Sequence, residues 1–273
     1  MLRDQLVARL KEMGDVPDHQ RLAAEVLGIR GAPPDLARRL VAQALVIEDR
    51  RDVWRRTGER ICAKAPATPG VYVLRDPRGV AVYVGKAVNL RRRLRAHFSE
   101  RRWRALKPGM VRAADAEWTE VGSELEALLR EADLIRALQP AMNVQIGTPE
   151  LRTRRVPRSV IRDVIVVVPS VEADSAELIA ARADGGWFIQ RTRRNGTDLF
   201  VHTNRLTRFF RSPLRRPFES APLAPIVFSW LADRGQHATR LAPDDSCARG
   251  LRDRLAAVLR DERLFEERIE QLG

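Results

Sequence analysis

Apolar residues recur at three- and four-residue intervals through RDQLVARLKEM (3–13), HQRLAAEVLGI (19–29) and PPDLARRLVAQALVIEDRRDVWRRTGERI (33–61). That spacing predicts amphipathic helices, so residues 1–64 form a helical N-terminal segment. APATPG (65–70) breaks the pattern with two prolines and a glycine, and the period then falls to two in GVYVLR and VAVYVG. RDPRG (75–79) sets Pro77 and Gly79 between these runs, the turn chemistry of a β-hairpin. Period two places Tyr72 on the face of Leu74, and Tyr83 on the face of Ala81. Helical spacing returns at Leu90, Leu94 and Phe98, with Asn89 placed to cap the first turn. A further helix is predicted from VGSELEALLREADLIRALQPAMN (121–143), opened by a Ser123/Glu126 capping box and ended near Pro140.

GTPELRTRRVPRS (147–159) combines turn formers with basic residues and predicts a linker. Beyond it the pattern predicts a buried strand at VIVVV (164–168), short strands around GGWFIQRT and TDLFVHT, and helices at APIVFSWLADRG and ARGLRDRLAAVLRDERLFEERIEQL. The expected fold class is α+β in three parts. These are a helical segment over 1–64, a hairpin-and-helix domain over 65–147 and a small α/β domain over 150–273. No internal repeat or low-complexity tract occurs.

Charge narrows the partner. Against 36 Asp and Glu the chain carries 49 Lys and Arg, a net +13, which predicts attraction to a polyanion. Nucleic acid is the first candidate and an anionic membrane the second. VIVVV is far short of the ~20 residues of a spanning helix, and the N-terminus lacks an apolar signal core. No membrane role is therefore expected. Cys62 and Cys247 lie far apart, and His19, His97, His202 and His237 are equally scattered. Two reduced thiols in a cytoplasmic protein are expected, without a protein-built zinc site.

The densest charge follows the hairpin. Arg91, Arg92, Arg93, Arg95, Arg101, Arg102, Arg104 and Lys107 surround one acid, Glu100. Composition alone allows a solvated helix face as readily as a DNA surface. Lysine is rare, however, occurring only at 11, 64, 86 and 107. Lys86 ends the second strand near Tyr83, where a compact ammonium of adjustable acidity suits chemistry better than a guanidinium. On the helix over 121–143, Glu126, Arg130 and Asp133 share a face expected to be solvated. Glu131 points instead from among Leu128, Ala132, Ile135 and Leu134. A carboxylate there requires a cation, either an arginine or a metal ion that keeps its own waters.

PGVY (69–72), VYVGKAVNLRRRLRAHF (82–98) and EALLREADLIRALQPAMN (126–143) together resemble the GIY-YIG nuclease domain, most of all its form in the excision-repair subunit UvrC and the UvrC-homologous nuclease Cho. The resemblance covers about residues 66–146. It implies a small antiparallel sheet flanked by helices, DNA as substrate, Mg2+ or Mn2+ as cofactor, and excision-repair proteins as partners. It makes Tyr72 and Tyr83 the two motif tyrosines, with Tyr83 and Lys86 at the nucleophile-activating end. It also sets Arg93 on the scissile phosphate, Glu131 on the metal and Asn143 at the closing asparagine. His97 stands where UvrC proteins carry tyrosine. Arg91, Arg92, Arg95, Arg101, Arg102, Arg104 and Lys107 would line the DNA path. UvrC's second, RNase H-like site has no counterpart acid cluster in 150–273, so one cut per encounter is expected. Two other readings remain open: a non-catalytic nucleic-acid-binding module, and a restriction or mobile-element nuclease.

Overall fold

Leu6, Leu22, Ala23, Ala37 and Val41 meet in a small core of their own, which is the consequence of the helical spacing in the first forty residues. The computed structural model describes residues 2–14, 16–49, 51–99, 109–146, 156–212, 223–233, 238–243 and 248–266. Helices α1 (Leu2–Met13), α2 (His19–Glu25) and α3 (Pro34–Asp49) build this first core. Helix α4 (Arg51–Lys64) leaves it. Its Trp54 and Ile61, with Ala65 just beyond, join the core of the following unit, and the Trp54 ring lies 4.4 Å from that of Phe98. The helical segment therefore serves two cores rather than one.

The hairpin forms as expected from β1 (Gly70–Arg75) and β2 (Ala81–Ala87). Asp76 organises the turn, its Oδ1 accepting from the amides of Arg78 and Val80, and Gly79 supplies the left-handed φ of +80°. A third strand, β3 (Asp115–Glu120), completes an antiparallel sheet in the order β2-β1-β3. The sequence DAEWTE hid it, because its outward positions, Asp115, Glu117 and Thr119, are polar and only Ala116 and Trp118 join the core.

One face of this sheet carries Tyr72, Leu74 and Val82 against α5 (Leu90–His97), α4, Met110 and Met142. The other carries Val71, Val73, Ala81 and Val84 against α6 (Glu124–Leu138). Tyr72 and Leu74 share a face as expected, but Tyr83 and Ala81 do not. Leu74 pairs with Tyr83 and Arg75 with Ala81, so Val82 is an extra residue in the ladder. This bulge resets the alternation and turns Ala81 to the opposite face.

The C-terminal unit is a second antiparallel sheet, order β6-β5-β4-β7, of β4 (Val164–Pro169), β5 (Ser175–Ala181), β6 (Trp187–Arg193) and β7 (Arg240–Leu241). Both faces are covered, which is why β4 and β5 are buried at every position. Helices α6 and α9 (Ala224–Asp233) lie on one face; α8 (Leu199–Arg211), α10 (Ala248–Arg260) and α11 (Arg263–Glu266) lie on the other. The strand expected at TDLFVHT is instead the start of α8. Leu199, Thr203 and Leu206 form a buried stripe at helical spacing. Asp198 also binds the Arg193 amide and the Thr192 hydroxyl, which ends β6.

Candidate active site

Strand β2 is a sheet edge, so alternate residues turn their backbone groups away from the ladder. Two side chains meet them. Asn143, on the short helix α7 (Ala141–Ile146), accepts from the Val84 amide through Oδ1 at 2.8 Å and donates from Nδ2 to the Val84 carbonyl at 3.0 Å. Two residues on, the Lys86 backbone amide donates to the Glu131 carboxylate. Helix α6 thus delivers Glu131 around the sheet edge to the residues on the other face.

Those residues are aromatic and cationic. Tyr72 is 0% exposed, and its hydroxyl lies 2.6 Å from Nε2 of His97. The His97 ring stands edge-on to both tyrosines, 5.6 Å from Tyr72 and 5.5 Å from Tyr83, and the tyrosine rings are 6.1 Å apart. Gly85 makes room for them: a Cβ there would fall 2.6 Å from the Tyr72 hydroxyl and 2.9 Å from the Tyr83 ring. Arg93, one turn past the Asn89 cap, stays open to solvent along its side chain while its guanidinium lies against both hydroxyls.

Electrostatics follow from this packing. Burial pushes the Tyr72 phenol well above its ordinary value, with Tyr83 adding to the shift and Arg93 opposing it. Tyr72 is therefore a neutral phenol at working pH. Its hydroxyl and Nε2 of His97 form one hydrogen bond, whose donor is set by the His97 tautomer. Burial also pushes the Glu131 carboxyl up, while the charge and backbone amide of Lys86 and the charge of Arg93 pull it down. The Arg93 guanidinium itself is raised: desolvation lowers it, but the Tyr72 and Tyr83 hydroxyls outweigh that.

Tyr72, Tyr83, Lys86, Arg93, His97 and Glu131 are thus brought to one edge of the sheet. Asn143 stands apart, with its amide committed to β2. Arg92 and Arg95 are exposed, and Arg91 uses Nε to reach the Ala65 carbonyl at 2.7 Å. Arg101, Arg102, Arg104 and Lys107 lie outside the described residues. Glu126 corrects an expectation: it is 0% exposed rather than solvated, because the C-terminal unit covers the first turns of α6. Gly85 was visible as part of YVGK, but its service to two rings depends on a cross-strand neighbour that only the register reveals.

The Asn143 clamp predicts a measurable stability term. Asn143→Ala leaves a buried amide and carbonyl of Val84 unpaired and is expected to cost about 2–3 kcal/mol in denaturant unfolding. An unchanged unfolding midpoint would show that the edge of β2 does not need the clamp.

The segment that holds this geometry has known counterparts. Residues 68–144 match the family model of the UvrC-like GIY-YIG domain. The chain is 51% identical over 81 residues to the UvrABC system protein C of Paenarthrobacter aurescens, an alignment covering 29% of this chain and 12% of that protein. It is 46% identical over 81 residues to the protein of the same name from Syntrophus aciditrophicus, covering 29% of the chain and 13% of the relative. The chain thus aligns with only about an eighth of these relatives' length. Among solved structures, the magnesium-bound GIY-YIG N-terminal endonuclease domain of UvrC from Thermotoga maritima is 34% identical. That match covers 30% of this chain and 91% of that one, with a TM-score of 0.27. The matched UvrC-like segment takes in every residue of the site, Tyr72 through Asn143. No helix among the described residues is long and apolar enough to cross a membrane.

Proposed function

We propose that the chain is a metal-dependent DNA endonuclease of the UvrC/Cho GIY-YIG type, hydrolysing one phosphodiester bond in damaged or structured DNA in an excision-repair pathway. The observation that carries this reading is the convergence of Tyr83, Lys86, Arg93 and Glu131 at the edge of β2, inside the segment that matches the UvrC-like domain. A module that only bound nucleic acid would have no use for a half-buried carboxylate beside them.

Glu131 is suited to hold the metal. Among the described residues no three His, Cys, Asp or Glu side chains cluster, so a cation held by Glu131 would have few protein ligands and would keep several waters. That donor set fits Mg2+ or Mn2+, hard ions that keep several waters. The bound ion would supply charge stabilisation at the leaving oxygen. The chain's own residues do the rest. Tyr83 and Lys86 hold the attacking water, its proton passing to whichever of the two is in its basic form, phenolate or amine, and Arg93 neutralises the phosphate oxygens. Tyr72, kept neutral and tied to His97, fixes the position of Arg93 and of the Tyr83 ring. DNA is the substrate, excision-repair proteins are the partners, and the compartment is the cytoplasm, where the chromosome lies.

The test is cleavage of end-labelled duplex, bubble, flap and lesion-bearing DNA with Mg2+, Mn2+ or EDTA, with cut positions mapped. Metal-dependent cutting at a discrete position supports the reading; binding without cutting under every condition overturns it.

The exposed arginines of α5 give a second measurement. Replacing Arg92 and Arg95 by Ala is expected to weaken DNA binding equally for all sequences, because phosphate contacts carry no base information. It is also expected to flatten the salt dependence by about 0.9 log units per tenfold salt for each phosphate that is no longer neutralised. If affinity and slope both stay unchanged, this side of α5 is a solvated face.

A further inference from the structure

The helix that carries Glu131 belongs to two cores at once. Ala127 and Ile135 pack on Val71, Val73 and Val84 of the nuclease-like sheet. Leu125 and Leu129, both fully buried, pack on Val164, Val166, Val168 and Ile179 of the C-terminal sheet. Trp230 adds a hydrogen bond across the seam, Nε1 donating to Glu124 at 3.3 Å.

Two polar clusters flank the seam at the start of this helix, with close backbone packing between them. On β5, Glu177 is 2% exposed and accepts from the Ser170 hydroxyl at 2.8 Å and from Arg191 Nε at 2.6 Å. The backbone of Ser170 abuts Gly122 so closely that a Cβ on Gly122 would lie 2.2 Å from the Ser170 carbonyl carbon and 2.4 Å from the Pro169 oxygen. Gly122 in turn donates its amide to Glu126 at 3.0 Å, and Glu126 accepts from Arg130 at 2.8 Å. Arg130 is the neighbour of Glu131. Burial first, and then the charge of Glu177, push the Glu126 carboxyl up against the pull of Arg130, so the two carboxylates feel each other across the seam.

Buried ion pairs contribute little net stability, since desolvation offsets their attraction. Two of them facing each other, with a glycine squeezed between backbones, are better explained by what they hold in place. We propose that this seam is a positioning device: Gly122, Glu126 and Glu177 set where α6 sits between the two sheets and so hold the Glu131 carboxylate at the edge of β2. The C-terminal unit is then a working part of the nuclease centre rather than a separate appendage. This rests on the nuclease reading above for its metal, not for its geometry.

The full chain tests it with three variants. Gly122→Ala places a methyl group against backbone that no rotamer change can move aside. Glu177→Gln keeps shape and removes one charge. Leu206→Ala weakens the C-terminal unit from its far face, away from α6. Mn2+ affinity is read without DNA from the free-ion EPR signal, beside the Mg2+ concentration for half-maximal cleavage and DNA affinity in EDTA. Partners that orient a metal ligand are typically worth 10- to 100-fold in affinity, so Gly122→Ala is expected to weaken Mn2+ about 10-fold and Glu177→Gln roughly threefold. DNA affinity should hold, and Leu206→Ala should leave Mn2+ binding unchanged. The proposal is overturned by wild-type Mn2+ affinity in both seam variants, by an equal loss in Leu206→Ala, or by a wild-type chain that binds no Mn2+. If Gly122→Ala does not fold, Glu177→Gln decides alone. A wild-type chain that binds Mn2+ but cuts no DNA sinks the nuclease reading, while the Mn2+ measurements still judge the seam.

Discussion

Glu131→Gln is expected to lower metal-dependent cleavage by about 10³-fold or more while leaving DNA affinity within about twofold of wild type, as removal of an interaction made chiefly in the transition state should. Glutamine keeps the size of the side chain and an oxygen to accept from the Lys86 amide, so β2 should not move. It loses the charge that would attract a divalent cation. Stability moves the other way. Burial raises the Glu131 carboxyl, so the charged form costs free energy in the fold, and the neutral amide relieves that cost. The variant should therefore unfold at the same or slightly higher denaturant concentration. Cleavage within a few-fold of wild type would reduce Glu131 to a counter-ion of Lys86 and Arg93.

Tyr83→Phe and Lys86→Ala are each expected to slow cleavage by about 10²-fold, the usual contribution of an acid–base group. The double variant should be little worse than either single one, because both groups act on one water and removing either disables the pair. Tyr83 is partly exposed and reaches solvent, whereas Tyr72 is sealed behind His97. Tyr72→Phe should for that reason act mainly through the placement of Arg93. Single-turnover rates at saturating metal separate these roles. Full additivity in the double variant would mean that Tyr83 and Lys86 serve different steps.

Much of the site was legible along the chain because its signals are local. The Asp76 turn, the Asn89 cap and the Ser123 cap depend on residues within four positions of one another, and each formed where the residues called for it. The order and spacing of PGVY, YVGK and EALLRE pointed to the domain that residues 68–144 match. Helical geometry set Glu131 among apolar neighbours, and in the fold the charges of Lys86 and Arg93 pull its carboxyl down against burial.

Other features depended on what arrives from far along the chain. Val82 is an extra residue only relative to β1, so no pattern within β2 could show that Ala81 and Tyr83 part company. Glu126 has the spacing of a solvent-facing residue, and only a sheet built from residues 164–193 buries it. The helical start of α8 competed with a β-rich composition and prevailed because Leu199, Thr203 and Leu206 found a core to face. The sequence by itself determined the hairpin and the caps, and it named the candidate side chains that the fold brings together, since these rest on near neighbours and side-chain chemistry. Tertiary structure alone decided which faces Ala81, Tyr83 and Glu126 take and which core shares α6, because burial is a relation between distant segments rather than a property of one.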